Sequence, residues 1–520
     1  MQAYTNYNTN SHLNYSVEQL RLPLDLSIEI DKNDPMWTFL EVIEEVNLNK
    51  YLKKRKGNQG HNNRMMLKTV LFAYMNRVFS LRHMEEKCRT DIRFMYLSEE
   101  EKPSFMAFQR FINNQLKASV SKIFTDITEI VCRKSGADTR ILFLDGTMIE
   151  ANANKFTFVW KKTAEKTLKK SLARVQEVIR SIEKETELKY EYKELTPDHL
   201  KGYAVKVLQY CLEKEISFVY GRGKRKTAIQ RLYDELRKHT AKIEECSEKI
   251  EICGDDRSSY SKTDHDATFM HMKYDYYMNT GVFKPGYNIQ LGESDEYIRH
   301  IRVGNDRTDS RTFIPFMEGY QKRYDELPGI IVADAGYGSY DNYMWCLIHQ
   351  ADAYIKYQLY EKEKTAEFRK QKYRKENLLH EENGKLLCPK GREFKYQCDK
   401  ISTKTTYLSI DQIWECKTCN RCPYRKSCTK AKGNRKVQIN VALDELRKAA
   451  KERLDSPAGK QLREQRCIQA EGTFGIIKND WNYVRLHRRG FENVENEIYL
   501  VCIGFNLMKY HHKKLRKLLS

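Results

Sequence analysis

Two short apolar runs, Ile141-Leu142-Phe143-Leu144 and Ile330-Ile331-Val332-Ala333, stand far apart in the chain, and each ends on an aspartate with glycine close behind. Four apolar residues bounded by turn formers are too few for a helix and read as strands. The first run resumes as Thr147-Met148-Ile149, so a strand, a tight turn at Asp145-Gly146 and a second strand are expected there. Further strand-like pieces fall within 281–303 (GVFKPGYNIQL and YIRHIRV). Strands scattered this widely share one sheet only if the chain leaves it and returns, which predicts an α/β fold with a mixed sheet flanked by helices. A carboxylate at the C-terminal end of such a strand faces the crevice where open α/β sheets place their ligands. Asp145 and Asp334 are therefore candidate functional residues.

The rest of the chain is helical in pattern. Leu67, Val70, Leu71, Tyr74, Met75 and Val78 recur at three- and four-residue steps, and helices are also expected over 81–97 and 105–132, around a turn at Pro103. Arginines such as Arg110 interleave with these faces, a pattern shared by DNA-binding helices and by any bundle with a solvated exterior. Leu168, Leu172, Val175, Ile179 and Ile182, then Ile229, Leu232, Leu236, Ile243, Cys246 and Ile250, form two heptad seams. They predict a coiled-coil-like antiparallel hairpin inserted into a domain that resumes after it. At roughly 150 residues per domain, the length of 520 suggests about three domains. The divisions expected are an arm over 1–35, a helical domain over 36–135 and an α/β domain over 136–358 and 442–520. The hairpin insertion spans 163–255, and a basic, cysteine-rich insertion spans 359–441.

Lysine and arginine number 92 against 71 acidic residues, a net charge of +21, which favours a polyanionic partner and nucleic acid ahead of a membrane surface. No apolar run approaches the roughly 18 residues of a membrane span, and the polar N-terminus lacks a signal-peptide core. A cytoplasmic, nucleoid-associated protein without membrane contact is expected.

A third acid, Glu471, lies in RCIQAEGTFGIIKND, whose spacing is helix-like, with Lys478 seven residues on and on the same face. Cleaving or joining a phosphodiester requires an oxygen nucleophile made more acidic and a leaving oxygen stabilised. Two divalent cations about 3.5–4 Å apart do both, and hard Mg²⁺ takes carboxylate oxygens. Two or three converging carboxylates are the least a protein must supply, and a lysine beside them could contact a DNA phosphate.

At these residues the sequence resembles bacterial insertion-sequence transposases of the DDE type, closest to the group numbered eleven eighty-two within the insertion-sequence-four-like set. The motifs that carry the likeness run from about Asp34 to Tyr510. They include LDGTMIEANANKF, TDHDATFM with GYNIQ, ADAGYGSYDN, EGTFGIIK and HRRGFENVENEIYLVCIGFNLMKY. The resemblance implies an RNase H-like catalytic core with the acidic triad on Asp145, Asp334 and Glu471, holding two Mg²⁺ or Mn²⁺ ions. It also implies a helical N-terminal domain, double-stranded DNA (element ends and target) as partner and a homodimer in the DNA complex. Lys478 matches the family's lysine after the glutamate. The family's arginine before it falls here on Cys467, with Arg466 one residue off, and the tyrosine before that falls on Glu464. Arg466, Lys478, Arg110, Arg485, Arg488 and Arg489 are the candidate DNA contacts. Asp264 and Asp266 read as turn formers.

Six of the 14 cysteines crowd into one stretch. Cys416-x2-Cys419-x2-Cys422-x5-Cys428 is the first choice for a structural, tetrahedral Zn²⁺, with Cys388 and Cys398 as alternatives to two of them. Two other readings stay open: a nuclease on the same fold that never joins ends, and a non-catalytic DNA-binding protein derived from a transposase.

Overall fold

The computed structural model describes residues 30–52, 60–272, 282–380 and 385–519, so the expected arm over 1–35 lies almost wholly outside the described residues. The described residues open with six α-helices: α1 (Pro35–Glu45), α2 (Asn63–Met75), α3 (Leu81–Thr90), α4 (Ile92–Leu97), α5 (Phe105–Phe111) and α6 (Val120–Ser135). Asp34 starts α1 by accepting the Met36 amide at 2.8 Å, and Pro35 occupies the first turn, where its missing donor costs nothing. The residues of α2 whose spacing predicted one buried face are buried, and Met66, Phe72 and Ala73 are buried as well. A helix apolar on all sides needs cover on all sides.

Strand β1 (Ile141–Glu150) follows, then β2 (Phe158–Trp160) and three helices, α7 (Lys161–Thr186), α8 (Pro197–Glu213) and α9 (Ala228–Cys253). After β3 (Ser259–Ser261) and β4 (Thr268–His271) come β5 (Phe283–Ser294), β6 (Tyr297–Gly304), α10 (Phe313–Tyr324), β7 (Ile330–Ala333), α11 (Tyr340–Ile348) and β8 (Asp352–Ile355). A short pair, β9 (Leu379–His380) and β10 (Leu386–Leu387), precedes the antiparallel sheet β11 (Phe394–Ile401), β12 (Ile410–Cys416) and β13 (Lys436–Ile439). Helices α12 (Val441–Asp455), α13 (Pro457–Arg466) and α14 (Phe491–Leu519) complete the chain.

The main sheet is mixed. β1 pairs antiparallel with β5 on one side and parallel with β7 on the other, β7 pairs parallel with β8, and β4 and β6 both pair with β5. The expected turn at Asp145-Gly146 is absent: β1 runs unbroken through it. Pairing with β5 extends from Phe143 to Glu150, so ladder hydrogen bonds hold the segment extended across the glycine. Gly146 is needed for space, since a Cβ there would lie 2.1 Å from the Gln290 side-chain amide.

The two heptad seams do pair, as α7 and α9, but α8 occupies the segment expected between them. Val175, Ile179 and Ile182 of α7, Leu200, Tyr203 and Val207 of α8, and Leu236 and Ile243 of α9 share one buried cluster. The unit is a three-helix arrangement, because the apolar face of α8 needs the same burial that the seams offer.

Helix α14 ties the N-terminal helices to the sheet. Ile498, Leu500, Val501, Ile503, Phe505 and Leu507 are all buried, among α1, α2, α6 and β6. Buried Asn506 exchanges two hydrogen bonds with the Ile298 backbone of β6, at 2.9 and 2.8 Å, and donates to Thr128 of α6 at 3.0 Å. Among the described residues, no helix is long and apolar enough to cross a membrane.

Gly504 marks where α14 crosses α2: a Cβ there would lie 2.6 Å from the Tyr74 carbonyl group. Backbone cannot yield as a flexible side chain does, so Gly504→Ala is expected to destabilise the chain by about 1–3 kcal/mol. Urea unfolding of the two proteins measures this, and equal midpoints would show that the helices do not cross so closely.

Candidate active site

The geometry begins with one register. Leu144 of β1 pairs with Ala333 of β7, the last residue of that strand. Asp145 and Asp334 follow directly on parallel neighbours, whose backbones lie roughly 5 Å apart. Beyond this point β1 continues with β5 on one edge while β7 has ended, so the crevice opens beside Asp145. Asp334 turns the chain there, accepting the Gly336 amide at 2.7 Å as the cap of a short 3₁₀ turn, Ala335–Tyr337.

Glu471 arrives from the C-terminal side. Helix α13 passes into a π-helical turn, Cys467–Glu471, then an α-turn, Gly472–Gly475, and a second π turn, Ile476–Asp480. The first π turn packs on β1 and β5. A π turn takes one residue more than an α turn, and such turns are frequent at functional sites. In an α-helix, side chains three or four apart face each other. Here Arg466 and Glu471, five apart, meet at 2.6 Å, while the same guanidinium lies 3.9 Å from Asp145. The π turn thus returns Arg466, one residue off the expected spacing, to the side of the glutamate.

The second π turn carries Lys478. Its ammonium donates to the Thr147 hydroxyl and, at 3.1 Å, to the Met148 carbonyl, both on β1 just past Asp145. Lys478 therefore anchors its helix to the strand that bears the first acid, a role its spacing alone did not indicate.

Beneath this cluster is Glu293 of β5, which is 0% exposed and accepts the Thr473 hydroxyl at 2.7 Å. Burial pushes its carboxyl up to about 8; the Thr473 bond opposes the shift and the charge of Asp145 adds to it.

Behind the strand ends lies a polar network. Asn288 and Gln290, both fully buried on β5, each donate to Asp309 Oδ1 at 3.0 Å. Buried Tyr337 donates to the Gln290 carbonyl oxygen, and its hydroxyl is held well above its usual range by burial and then by the charges of Asp309, Asp145 and Asp334. Sequence reasoning passed over all four residues. Two amides at alternate positions of GYNIQ signal one polar strand face; Asp309, in an unremarkable turn, gave no signal.

The other candidate contacts are dispersed. Arg110 is exposed on α5, and Arg485 lies 3.7 Å from Glu150. Arg488 donates to Asn113 at 2.9 Å and Arg489 to the Asn152 carbonyl at 2.6 Å, on a cleft of about 480 Å³ also lined by Tyr74 and Gln109. The turn expected at Asp264 and Asp266 forms, with the Asp266 amide donating to Asp264 at 3.3 Å. Both acids also reach further: Asp264 accepts the Tyr287 hydroxyl, and Asp266 accepts the Phe491 amide at 2.8 Å.

In the cysteine-rich insertion, Cys388, Cys416 and Cys419 are buried in one small cluster with Phe394 and Val437. Burial and the two neighbouring thiols hold Cys416 up at about 12. Cys422 is half-buried, and Cys428 accepts from Arg435 at 2.9 Å. Cys398 is exposed on β11 and stands apart. Among the described residues, no three His, Cys, Asp or Glu side chains are grouped so as to hold a metal ion. Neither the zinc set nor the acid triad is thus drawn together as a ligand shell. At the acids the reason is visible, because the Arg466 fork takes up Glu471 and stands between it and Asp145.

Residues 387–511 match the family model of a transposase DDE domain, and residues 24–114 match that of a transposase domain (DUF772). Together these matches support an insertion-sequence transposase. Glu471, Lys478 and Arg466 fall within the first match, whereas Asp145 and Asp334 lie outside both. No curated protein matches the chain.

The raised Glu293 has a consequence for stability. An acid whose folded value is raised contributes stability that is full below the unfolded value of 4.5 and lost as pH climbs through about 8. The melting temperature should therefore fall more for the wild type than for Glu293→Gln from about pH 6 to about pH 9. Parallel melting curves for the two proteins would remove Glu293 as the cause.

Proposed function

We propose that this chain is a DNA transposase that cleaves the ends of an insertion element and joins them to target DNA at Asp145, Asp334 and Glu471. The DDE-domain match indicates a transposase. The observation that carries the site assignment is the β1–β7 register, which sets two aspartates side by side where a strand edge becomes open. A mixed sheet flanked by helices, with the third acid on a helix packed across β1 and β5, supports an RNase H-like core.

The donor set fits hard divalent cations in its chemistry: all three residues offer carboxylate oxygens, and the pocket already accommodates the positive charge of Arg466 between two of them. Asp145, Asp334 and Glu471 would hold Mg²⁺ or Mn²⁺, which when bound supplies acidification of a water or 3′-hydroxyl and stabilisation of the departing oxygen. The chain's own residues build the place for this. Lys478 fixes the Glu471 helix against β1, and Arg466 offsets repulsion between Asp145 and Glu471. Arg488 and Arg489, on the cleft between the N-terminal helices and the 487–493 segment, would track a DNA backbone, with the excess of 21 positive charges behind them.

A strand-transfer assay with the element's own ends and a supercoiled target tests the assignment. Asp145→Ala and Asp334→Asn should each lower cleavage and joining by at least about a hundredfold while leaving end binding intact. Full activity in either variant would overturn it. Cleavage of ends without any joining by the wild type would instead favour a nuclease.

For the insertion, we infer a structural Zn²⁺ held by Cys388, Cys416 and Cys419 with one of Cys422 and Cys428. The support is the burial of three thiols in a module whose buried apolar cluster is otherwise Leu378, Leu386, Phe394 and Val437, with Trp414 and Ile439 half-buried against it, a small core of the kind that metals commonly staple. Elemental analysis of the purified chain should find about one zinc per molecule, lost in Cys416→Ser. A zinc-free, folded wild type would rule it out.

A further inference from the structure

Residues 486–490 lead irregularly into α14, yet nearly every backbone polar group here has a partner. The Leu486 amide donates to the Glu150 carbonyl at 2.9 Å. The donors that follow are met by carboxylates from separate parts of the chain. Buried Glu497, on α14, accepts the His487 amide at 3.0 Å and the Arg488 amide at 2.9 Å, together with the Tyr483 hydroxyl at 2.6 Å. Buried Asp264 accepts the Gly490 amide at 3.3 Å and is itself fixed by the Tyr287 hydroxyl of β5. Asp266 accepts the Phe491 amide at 2.8 Å. On the acceptor side, Asn152 donates to the His487 carbonyl at 2.7 Å and Asn493 to the Arg489 carbonyl at 2.9 Å.

A surface loop needs no such provision, because water satisfies its backbone. Hydrogen bonds to ionised acceptors are about twice as strong as neutral ones, and here three carboxylates serve four backbone amides. The arginine side chains, by contrast, are left with neutral partners. Arg488 donates to the Asn113 side-chain oxygen and Arg489 to the Asn152 carbonyl. Among the described residues neither guanidinium forms an ion pair, although three acids border the backbone that bears them. Both lie on the cleft of about 480 Å³, and a guanidinium fork without a carboxylate partner suits phosphate oxygens.

We propose that Asp264, Asp266 and Glu497 are positioning residues of the DNA contact. They fix the backbone of 487–491 so that Arg488 and Arg489 stand ready for phosphates of double-stranded DNA along the cleft. This role rests on the reading above that the two arginines contact DNA. The turn at Asp264 and Asp266 thereby has a task beyond its own geometry: it carries both acids to the start of α14, where negative charge also suits the helix dipole.

Binding of the full-length chain to a labelled duplex bearing the element's ends, followed by anisotropy across about 50–200 mM salt, tests it. Replacing both arginines by alanine sets the reference. It should make the slope of log affinity against log salt shallower by about two. Asp266→Ala removes the acceptor of one amide, and Glu497→Gln leaves one acceptor oxygen where two served. Each should weaken binding about fivefold and make the slope shallower by about one. Asp266→Asn keeps an acceptor oxygen and should recover most of the affinity lost in Asp266→Ala. Asp266 is half-buried and decides the matter alone if Glu497→Gln does not fold. If the double arginine variant keeps the wild-type slope, the DNA reading of this cleft falls and the inference with it. If its slope is shallower while Asp266→Ala and Glu497→Gln keep that of the wild type, whatever their melting temperatures, the acids are only structural and the inference alone is overturned. Asp266→Asn binding no better than Asp266→Ala refutes it equally, because the hydrogen bond to Phe491 would then not be the cause.

Discussion

The parallel pairing of β1 with β7 governs everything at the candidate site. Because Leu144 lies opposite Ala333, the two aspartates that follow leave one paired level, Asp145 within β1 and Asp334 just past the end of β7. A one-residue slip would turn Asp334 to the other face, since side chains alternate along a strand. What holds the register is burial on both faces: Leu142, Leu144, Ile331 and Ala333 pack with Phe316 and Trp345 on one side, while Phe143 and Val332 pack with Leu462 and Ala470 on the other. The second of these clusters also seats the segment leading to Glu471, so the packing that fixes the aspartates fixes the approach of the glutamate.

Electrostatics then decide how such a pocket is tolerated. Carboxylates near one another repel, and three features of the chain bear on this. Arg466 stands between Asp145 and Glu471, Glu293 stays protonated up to about 8 in its buried position, and Asp309 is clamped by neutral amides. Two π turns, one ending at Glu471 and one carrying Lys478, shift the phase of the helix so that Arg466 meets Glu471 and Lys478 meets β1.

Much of the architecture was legible because apolar patterning reports burial directly. The helical faces over 63–75, the strands at 141–144 and 330–333, and the seams of α7 and α9 all follow from spacing. Two readings went astray for physical reasons. Asp-Gly is a common turn pair, yet at 145–146 continuous pairing with β5 overrides that local preference, and the glycine serves space rather than curvature. The segment between the seams looked like a connection, but its own apolar face, Leu200, Tyr203 and Val207, makes it a third helix of the unit.

For the site, sequence alone determined which side chains could do hard-cation chemistry, because an acid closing an apolar run and a Glu–Lys pair on a helix are local patterns. It also determined the positive excess that favours a polyanion, which depends on composition and not on fold. Tertiary structure decided what those patterns could not carry: that Asp145 and Asp334 follow directly on paired strand residues, that Arg466 reaches Glu471 through a π turn, and that Glu293 lies buried close to Asp145. Those facts depend on pairing register, helix phase and burial between segments far apart in the chain. Such long-range packing is set by how whole surfaces fit together, and no short stretch of residues contains it.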